Sequence, residues 1–304
     1  MMGGGSYSHD NSVRNRADKG WASEDLLRSN NRIVPKNYIP ASAESVFVQH
    51  GIHNEMNPHG VKVRESRDSV EHPESVAIIV ALDETGSMGD VPHHLVQEGL
   101  PHMMNAVYKA GVKDPQVLFL GIGDHTCDRA PLQVGQFETS DELLDKWLTS
   151  VFLEGKGGGN EGESYALAWY FAAKHTALDC LEKRKKKGVL FTIGDEPVLK
   201  DYPARMLEAL MGKGQYSDET AASLLAKARE KYTCYHIHIA ETSTGSARST
   251  IDGWRELMRD NLFVAKSYKD VPKIIADAIV KAVGSTSDAV LEEIVPKVPV
   301  TEML

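Results

Sequence analysis

Seven consecutive apolar residues, Val76 to Leu82, end directly in the polar stretch "DETGSMGD" (83–90). A strand that is apolar at every position is buried on both faces, which is the condition of a strand inside a parallel sheet covered by helices. The pattern then repeats. "QVLFLGIGD" (116–124), "GVLFTIGDEP" (188–197), "YTCYHIHIA" (232–240) and "NLFVAKS" (261–267) read as further strands, and "LQVGQFE" (132–138) as a shorter edge strand. Segments of helical periodicity fall between them, at 93–111, 140–155, 165–183, 217–231, 247–260 and 270–284. Pro101 predicts a kink in the first of these and Ser140 an N-cap for the second. Strand and helix alternating over some 210 residues predict an α/β fold. The expected architecture is a doubly wound, mostly parallel six-stranded sheet flanked by helices, Rossmann-like in outline.

Around this unit (76–284) the sequence predicts three further regions. Residues 1–40 are polar and read as a flexible N-terminal arm. Residues 41–75 mix short strand-like pieces with turns, as an extension packed on the domain. Residues 285–304 form a C-terminal tail.

Composition limits the partners. The chain has 304 residues, 41% hydrophobic and 25% charged, with a formal charge of −9. An acidic chain lacks the basic surface that phosphate backbones require, so no nucleic-acid role is expected. The basic run "EKRKKKG" (182–188) reads as a solvated helix end. No segment approaches the about 18 apolar residues of a membrane span, and the N-terminus has no apolar signal core. Three cysteines, odd in number and widely spaced, suit free thiols in a reducing compartment. The expectation is a cytoplasmic protein with no membrane partner.

In doubly wound sheets ligands sit beyond the carboxyl ends of the strands, near the point where strand order reverses. The loops to inspect therefore follow Leu82, Ile122, Ile193 and Ala240. The first carries Asp83, Thr85 and Ser87 in a D-x-T-x-S alternation, which turns one carboxylate and two hydroxyls the same way. These are hard oxygen donors, suited to Mg²⁺, Mn²⁺ or Ca²⁺ rather than Zn²⁺. A capped strand-to-helix turn would use the same residue types. Two other loops add acids: Asp195, with Glu196 behind it, and the glycine-rich "GKGGGNEGES" (155–164), with Asn160, Glu161, Glu163 and Ser164.

Competing readings fail on named residues. An aspartic protease needs a Ser or Thr directly after the acid, where Glu84 stands, and an all-β fold. A phosphate-binding Walker loop needs Lys before Ser164. A haloacid-dehalogenase phosphatase needs Asp at Thr85.

The arrangement resembles the von Willebrand factor A (vWA) family and its metal-ion-dependent adhesion site. That family's D-x-S-x-S motif is matched by "DETGSM", with Thr85 for the first Ser. "NEGE" (160–163) is similar to a D-x-P-E-like second loop of one branch, and "TIGDE" stands where the family commonly has T-D-G, with the acid displaced to Asp195. The resemblance implies a metal site of Asp83, Thr85, Ser87, Glu163 and Asp195. In it Asp83 and Asp195 bind directly or through water, Thr85 and Ser87 act as neutral ligands, and Glu163 orients water. It implies a divalent-cation-dependent protein-binding domain that presents its ion to an acidic group of a partner, which among intracellular relatives can be an AAA+ ATPase or an assembly component. The alternatives are a metal-assisted hydrolase, its water activated by Glu163 or Glu161, and a structural subunit with a vestigial site. No nucleophile–base pair is evident, so an enzyme is not expected.

Further candidates are Asp124 and Asp128 as outer groups of the site. His236 and His238 share one strand face, more suited to packing under a helix than to a metal. The charged "RESRDS" (64–69) is expected to reach a partner or to pair with the acidic rim.

Overall fold

The computed structural model describes residues 52–88, 91–95, 99–153 and 162–283. The expected arm (1–40), the tail (285–304), and Asn160 and Glu161 lie outside the described residues. The strands are β1 (Arg64–Ser66), β2 (Val76–Asp83), β3 (Pro115–Ile122), β4 (Leu132–Val134), β5 (Thr176–Leu178), β6 (Gly188–Gly194), β7 (Asp201–Tyr202), β8 (Glu219–Thr220), β9 (Tyr232–Ile239) and β10 (Leu262–Ala265). The helices are α1 (Val91–His94), α2 (Leu100–Lys109), α3 (Asp141–Ser150), α4 (Ala166–Lys174), α5 (Asp179–Glu182), α6 (Ala204–Met211), α7 (Ala221–Lys231), α8 (Arg248–Met258) and α9 (Val271–Val283).

Six strands form the main sheet in the order β10-β9-β6-β2-β3-β4. The sheet is mixed: four of its pairings are parallel, and edge strand β4 runs antiparallel to β3. Every position of β3 is buried, as is every position of β2 after Val76. The alternation within β2 divides the core. Ile78, Val80 and Leu82 face a layer containing Met103, Val107, Trp147, Ile275 and Ile279, from α2, α3 and α9. Ala77, Ile79 and Ala81 face Tyr165, Trp169, Leu224 and Trp254, on the side of α4, α7 and α8. The small alanines of β2 on this second face leave room for these bulky rings.

From β2 the chain continues through α1 and α2 on the first layer to β3. From its other neighbour, β6, it continues through α6 and α7 on the second. The adjacent strands β2 and β6 thus send their following helices to opposite faces. Such a reversal is where ligands bind in doubly wound sheets, and Asp83 and Asp195 stand at these carboxyl ends.

Helix boundaries follow local chemistry. Ser140 caps α3 by accepting from Leu143 N at 3.3 Å, and Thr220 with Ser223 forms a capping box on α7. Within the expected helix 93–111 the described residues form α1, π-helical Leu95 and Gly99, and α2, with Pro101 at the second position of α2. One expectation fails outright. Residues 165–183 are not a single helix, because α4 ends at Lys174 and Thr176–Leu178 form β5, which pairs in parallel with β1. His175 fixes the break: its Nδ1 lies 3.0 Å from the Lys62 carbonyl, and its own carbonyl accepts from Arg64 N at 2.8 Å.

In the charged segment 64–69 the described ion pairs of Arg67 and Asp68 go to residues near the segment and to α5 and the residues just after it, rather than to the acidic rim. Arg67 forms ion pairs with Glu65, Asp179 and Glu182, and Asp68 with Lys183 and Arg184. The basic run after α5 is therefore partly spent on holding the N-terminal extension.

Candidate functional site

Asp83 is the last residue of β2 and fully buried. Its Oδ1 accepts from the backbone N of Thr85 at 3.0 Å and from Thr85 Oγ1 at 2.6 Å. Thr85 Oγ1 lies 3.2 Å from Ser87 Oγ, and Ser87 Oγ donates to Asp195 Oδ1 at 2.8 Å. The other oxygen of Asp195 accepts from Thr242 Oγ1 at 2.6 Å, and the other oxygen of Asp83 accepts from Tyr165 OH. One unbroken chain, Tyr165–Asp83–Thr85–Ser87–Asp195–Thr242, thus joins four separate segments at the switch point.

The D-x-T-x-S alternation is realised in three dimensions. The intervening Glu84 turns away, lying over Gly121 and accepting from Gln133 Nε2. A short 3₁₀ turn at Gly86–Met88 brings Ser87 across to Asp195.

The electrostatics of this chain are unusual for a folded interior. Asp83 and Asp195 are both 0% exposed, and neither has an ion-pair partner among the described residues. Burial, then repulsion from Asp195, pushes the Asp83 carboxyl up to about 7, against the hydrogen bonds from Thr85 and Tyr165. Tyr165 is driven well above its ordinary value by burial and by the same two carboxylates.

Glu163 stands beside this chain without joining its hydrogen bonds. Its backbone is fixed by Glu163 N to Pro197 O (2.8 Å) and Leu199 N to Glu163 O (2.9 Å). Its side chain is buried, and Oε2 has no hydrogen-bond partner among the described residues. Burial pushes its carboxyl up to about 10, with further contributions from Asp83, Asp128, Asp124 and Glu196. A buried carboxylate oxygen without a partner costs stability unless some positive group or donor meets it.

Among the described residues no three His, Cys, Asp or Glu side chains gather as a metal-holding group. The convergent donors are instead two carboxylates and the hydroxyls of Thr85, Ser87 and Thr242. This oxygen-only set, with an excess of buried negative charge and the orphaned Glu163 oxygen, fits a hard divalent cation and not zinc.

The neighbouring acids have other duties. Asp124 accepts from Thr126 N and Oγ1 at 2.7 and 2.8 Å and from Cys127 Sγ at 3.1 Å, while Asp128 Oδ2 accepts from Asp124 N at 2.7 Å. They shape a tight loop, which Ser164 ties to the start of α4 by accepting from His125 N at 2.8 Å. His236 and His238 are buried and support the site from below. His236 stacks on Trp254 at 3.4 Å between centroids, meets Tyr165 edge-on, and lies 2.9 Å from Thr192 Oγ1. His238 Nε2 lies 2.8 Å from the Gly245 carbonyl, and so holds the loop that carries Thr242. Burial pushes both imidazoles down, so they act here as neutral rings.

Tyr165 and Thr242 are the residues that sequence reasoning missed. Thr242 lies in the loop after Ala240, which the strand-end rule marks for inspection, but nothing local singles out this hydroxyl from Thr244 or Ser243. Tyr165 directly follows the acidic "NEGES" segment, and its run of aromatic neighbours reads as ordinary core.

No protein-family model matches this chain, and no curated protein matches it in sequence. Among solved structures it is similar to the pilus adhesin SpaC of Lactobacillus rhamnosus GG in its open conformation, at 13% identity and a TM-score of 0.45, covering 68% of this chain and 30% of that one. It is also similar to a von Willebrand factor type A structure from Catenulispora acidiphila, at 12% identity and a TM-score of 0.40, covering 69% and 43%. A third is proximal thread matrix protein 1 from the mussel byssus, at 12% identity and a TM-score of 0.40, covering 67% and 47%. The chain spans less than half the length of each of these structures. No helix among the described residues is long and apolar enough to cross a membrane.

Proposed function

We propose that this chain is a divalent-cation-dependent protein-binding domain that presents its ion at the carboxyl ends of β2 and β6. The carrying observation is the pair of fully buried carboxylates, Asp83 and Asp195, joined through Thr85 and Ser87 with no cationic side chain among the described residues paired to either. Buried like charges are tolerated where a cation compensates them. Asp83 and Asp195 would hold the ion directly or through water, Thr85 and Ser87 would supply neutral oxygens, and Glu163 would orient water. When bound, a Mg²⁺, Mn²⁺ or Ca²⁺ ion held by few carboxylates keeps positive character and attracts a further oxygen ligand, such as an acidic side chain of a partner. Tyr165 and Thr242 hold the two carboxylates in place by donating to their remaining oxygens.

The order of these residues along the chain accords with the vWA resemblance drawn from "DETGSM". By that resemblance the partner is a protein, an AAA+ ATPase or an assembly component, in the cytoplasm. That resemblance favours binding over metal-assisted hydrolysis, although Ser164 Oγ lies 2.8 Å from His125 Nδ1.

Titration calorimetry with Mg²⁺ and Mn²⁺ tests the reading. The native chain binds the ion and the Asp83→Ala variant does not. An absence of binding at millimolar ion in the native chain would overturn the proposal and favour a structural subunit with a vestigial site. Where the ion binds, capture of a partner that is lost in EDTA distinguishes binding from hydrolysis.

A further inference from the structure

A second concavity lies at the far end of α4 from the carboxylate chain. The nine residues of α4 set the two apart by about 13 Å, at about 1.5 Å per residue. The cavity measures about 490 Å³, within the range of about 300–1,000 Å³ usual for small-molecule sites. Leu207 and Met211 of α6, both buried, give it apolar surface, and Tyr170 of α4 adds an aromatic wall. That wall is anchored: His175 Nε2 lies 3.3 Å from Tyr170 OH, while its Nδ1 is held at the Lys62 carbonyl.

The charge of the lining is opposite to that of the chain as a whole. Lys62, Lys174 and Lys213 all contribute to it and are exposed, and none is paired with a carboxylate among the described residues. The one carboxylate among the described lining residues, Glu219, is already engaged by Lys227, by Ser217 Oγ at 3.1 Å and by Ser223 Oγ at 2.8 Å. Three ammonium groups unpaired among the described residues, around a hollow with an aromatic and apolar wall, stand out in a protein of net charge −9. Lysines on flexible stems act as point charges that suit a phosphate dianion, and the apolar surface suits a hydrocarbon or ring attached to it.

We propose that this cavity is a binding site for a small phosphate monoester with an apolar or aromatic body, separate from the cation site and independent of it. Phenyl phosphate is the probe, titrated calorimetrically into the full chain at low ionic strength. Saturable binding is expected, stronger than that of inorganic phosphate or of benzyl alcohol, each of which offers half of the required chemistry. A Lys174→Met/Lys213→Met double variant, altered only at exposed positions, is expected to bind at least tenfold more weakly with an unchanged thermal midpoint. The Lys174→Arg/Lys213→Arg variant is expected to retain binding, and Asp83→Ala to bind as the native chain does. The proposal is overturned if phenyl phosphate fails to saturate by about 10 mM, the weak end of ordinary affinities. It is equally overturned if the double methionine variant binds as tightly as the native chain, or if affinity is lost in Asp83→Ala alone, which would place the anion at the cation site.

Discussion

Asp195 is held by hydroxyls from two directions. Ser87 reaches it from the loop after β2, and Thr242, 47 residues further along the chain, from the loop after β9. Thr242→Val keeps the shape of that side chain and removes its donor. A hydrogen bond to a charged group contributes about 1.5–3 kcal/mol, so the ion-free protein should lose stability of that order. Groups that orient metal ligands change ion affinity about 10–100-fold when removed, so Mg²⁺ binding should weaken by at least tenfold. Thr242→Ser, which restores the donor, should recover most of both. Chemical denaturation and calorimetry on the three proteins check this, and an unaltered Mg²⁺ affinity in Thr242→Val would detach Thr242 from the site. At this scale legibility follows sequence distance. Asp83, Thr85 and Ser87 could be read together because a period-two backbone is a local property. Thr242 could not, since its partner is chosen by how two distant loops fold over the sheet. Glu163 lies between these cases: its acidic loop could be read, but its separation from the hydrogen-bond chain could not.

At the scale of elements, the end of β6 shows why a glycine precedes the acid in "TIGDE". Gly194 lies under the aromatic roof of the site. A Cβ built there would run into Tyr165 OH and come within 2.6 Å of Asp83 Oδ2. The strand must therefore end in a residue without a side chain before Asp195 can turn into the site. Gly194→Ala should displace Tyr165 and Asp83 together. Overpacking of this kind costs about 1–3 kcal/mol, and calorimetric Mg²⁺ binding should be lost with it. If the alanine variant matched the native protein in both urea midpoint and ion binding, the proposed crowding would be wrong. The longer strands of the main sheet were legible as unbroken apolar runs, and the longer helices by their own period. The helix read through 165–183 was not, because β5 exists only by pairing with β1, and Arg64 and Thr176 are far apart in sequence. Local periodicity carries no information about such a partner. The two-residue strands β7 and β8 are too short to show any period.

At the scale of the whole molecule, the N-terminal extension is fastened to the domain by charge at the edge opposite the site. Asp68 accepts from Arg184 Nη1 at 2.6 Å and from Ser75 N and Oγ at 3.1 and 2.7 Å, and Arg184 also donates to the Ser75 carbonyl at 2.7 Å. Arg67 adds its pairs with Asp179 and Glu182 of α5. Burial raises the Asp68 carboxyl, but the hydrogen bonds from Arg184 and Ser75 outweigh it and hold the group far below its ordinary value of 3.8. A depressed carboxyl binds fewer protons in the folded than in the unfolded chain. Its stabilisation is therefore complete above about pH 4 and is lost as pH falls below the ordinary value toward the lower folded one. Asp68→Asn keeps the size of the side chain and removes this titration. At pH 7 the variant should be less stable than the native protein by about 1.5–3 kcal/mol, the range of hydrogen bonds to a charged group. Urea unfolding repeated at pH 7, 4 and 3 should show that difference shrinking as the pH drops, because the native chain loses the contribution that the variant never had. A difference that stayed constant over this range would mean that Asp68 fastens the extension by shape and hydrogen bonding alone, without its charge.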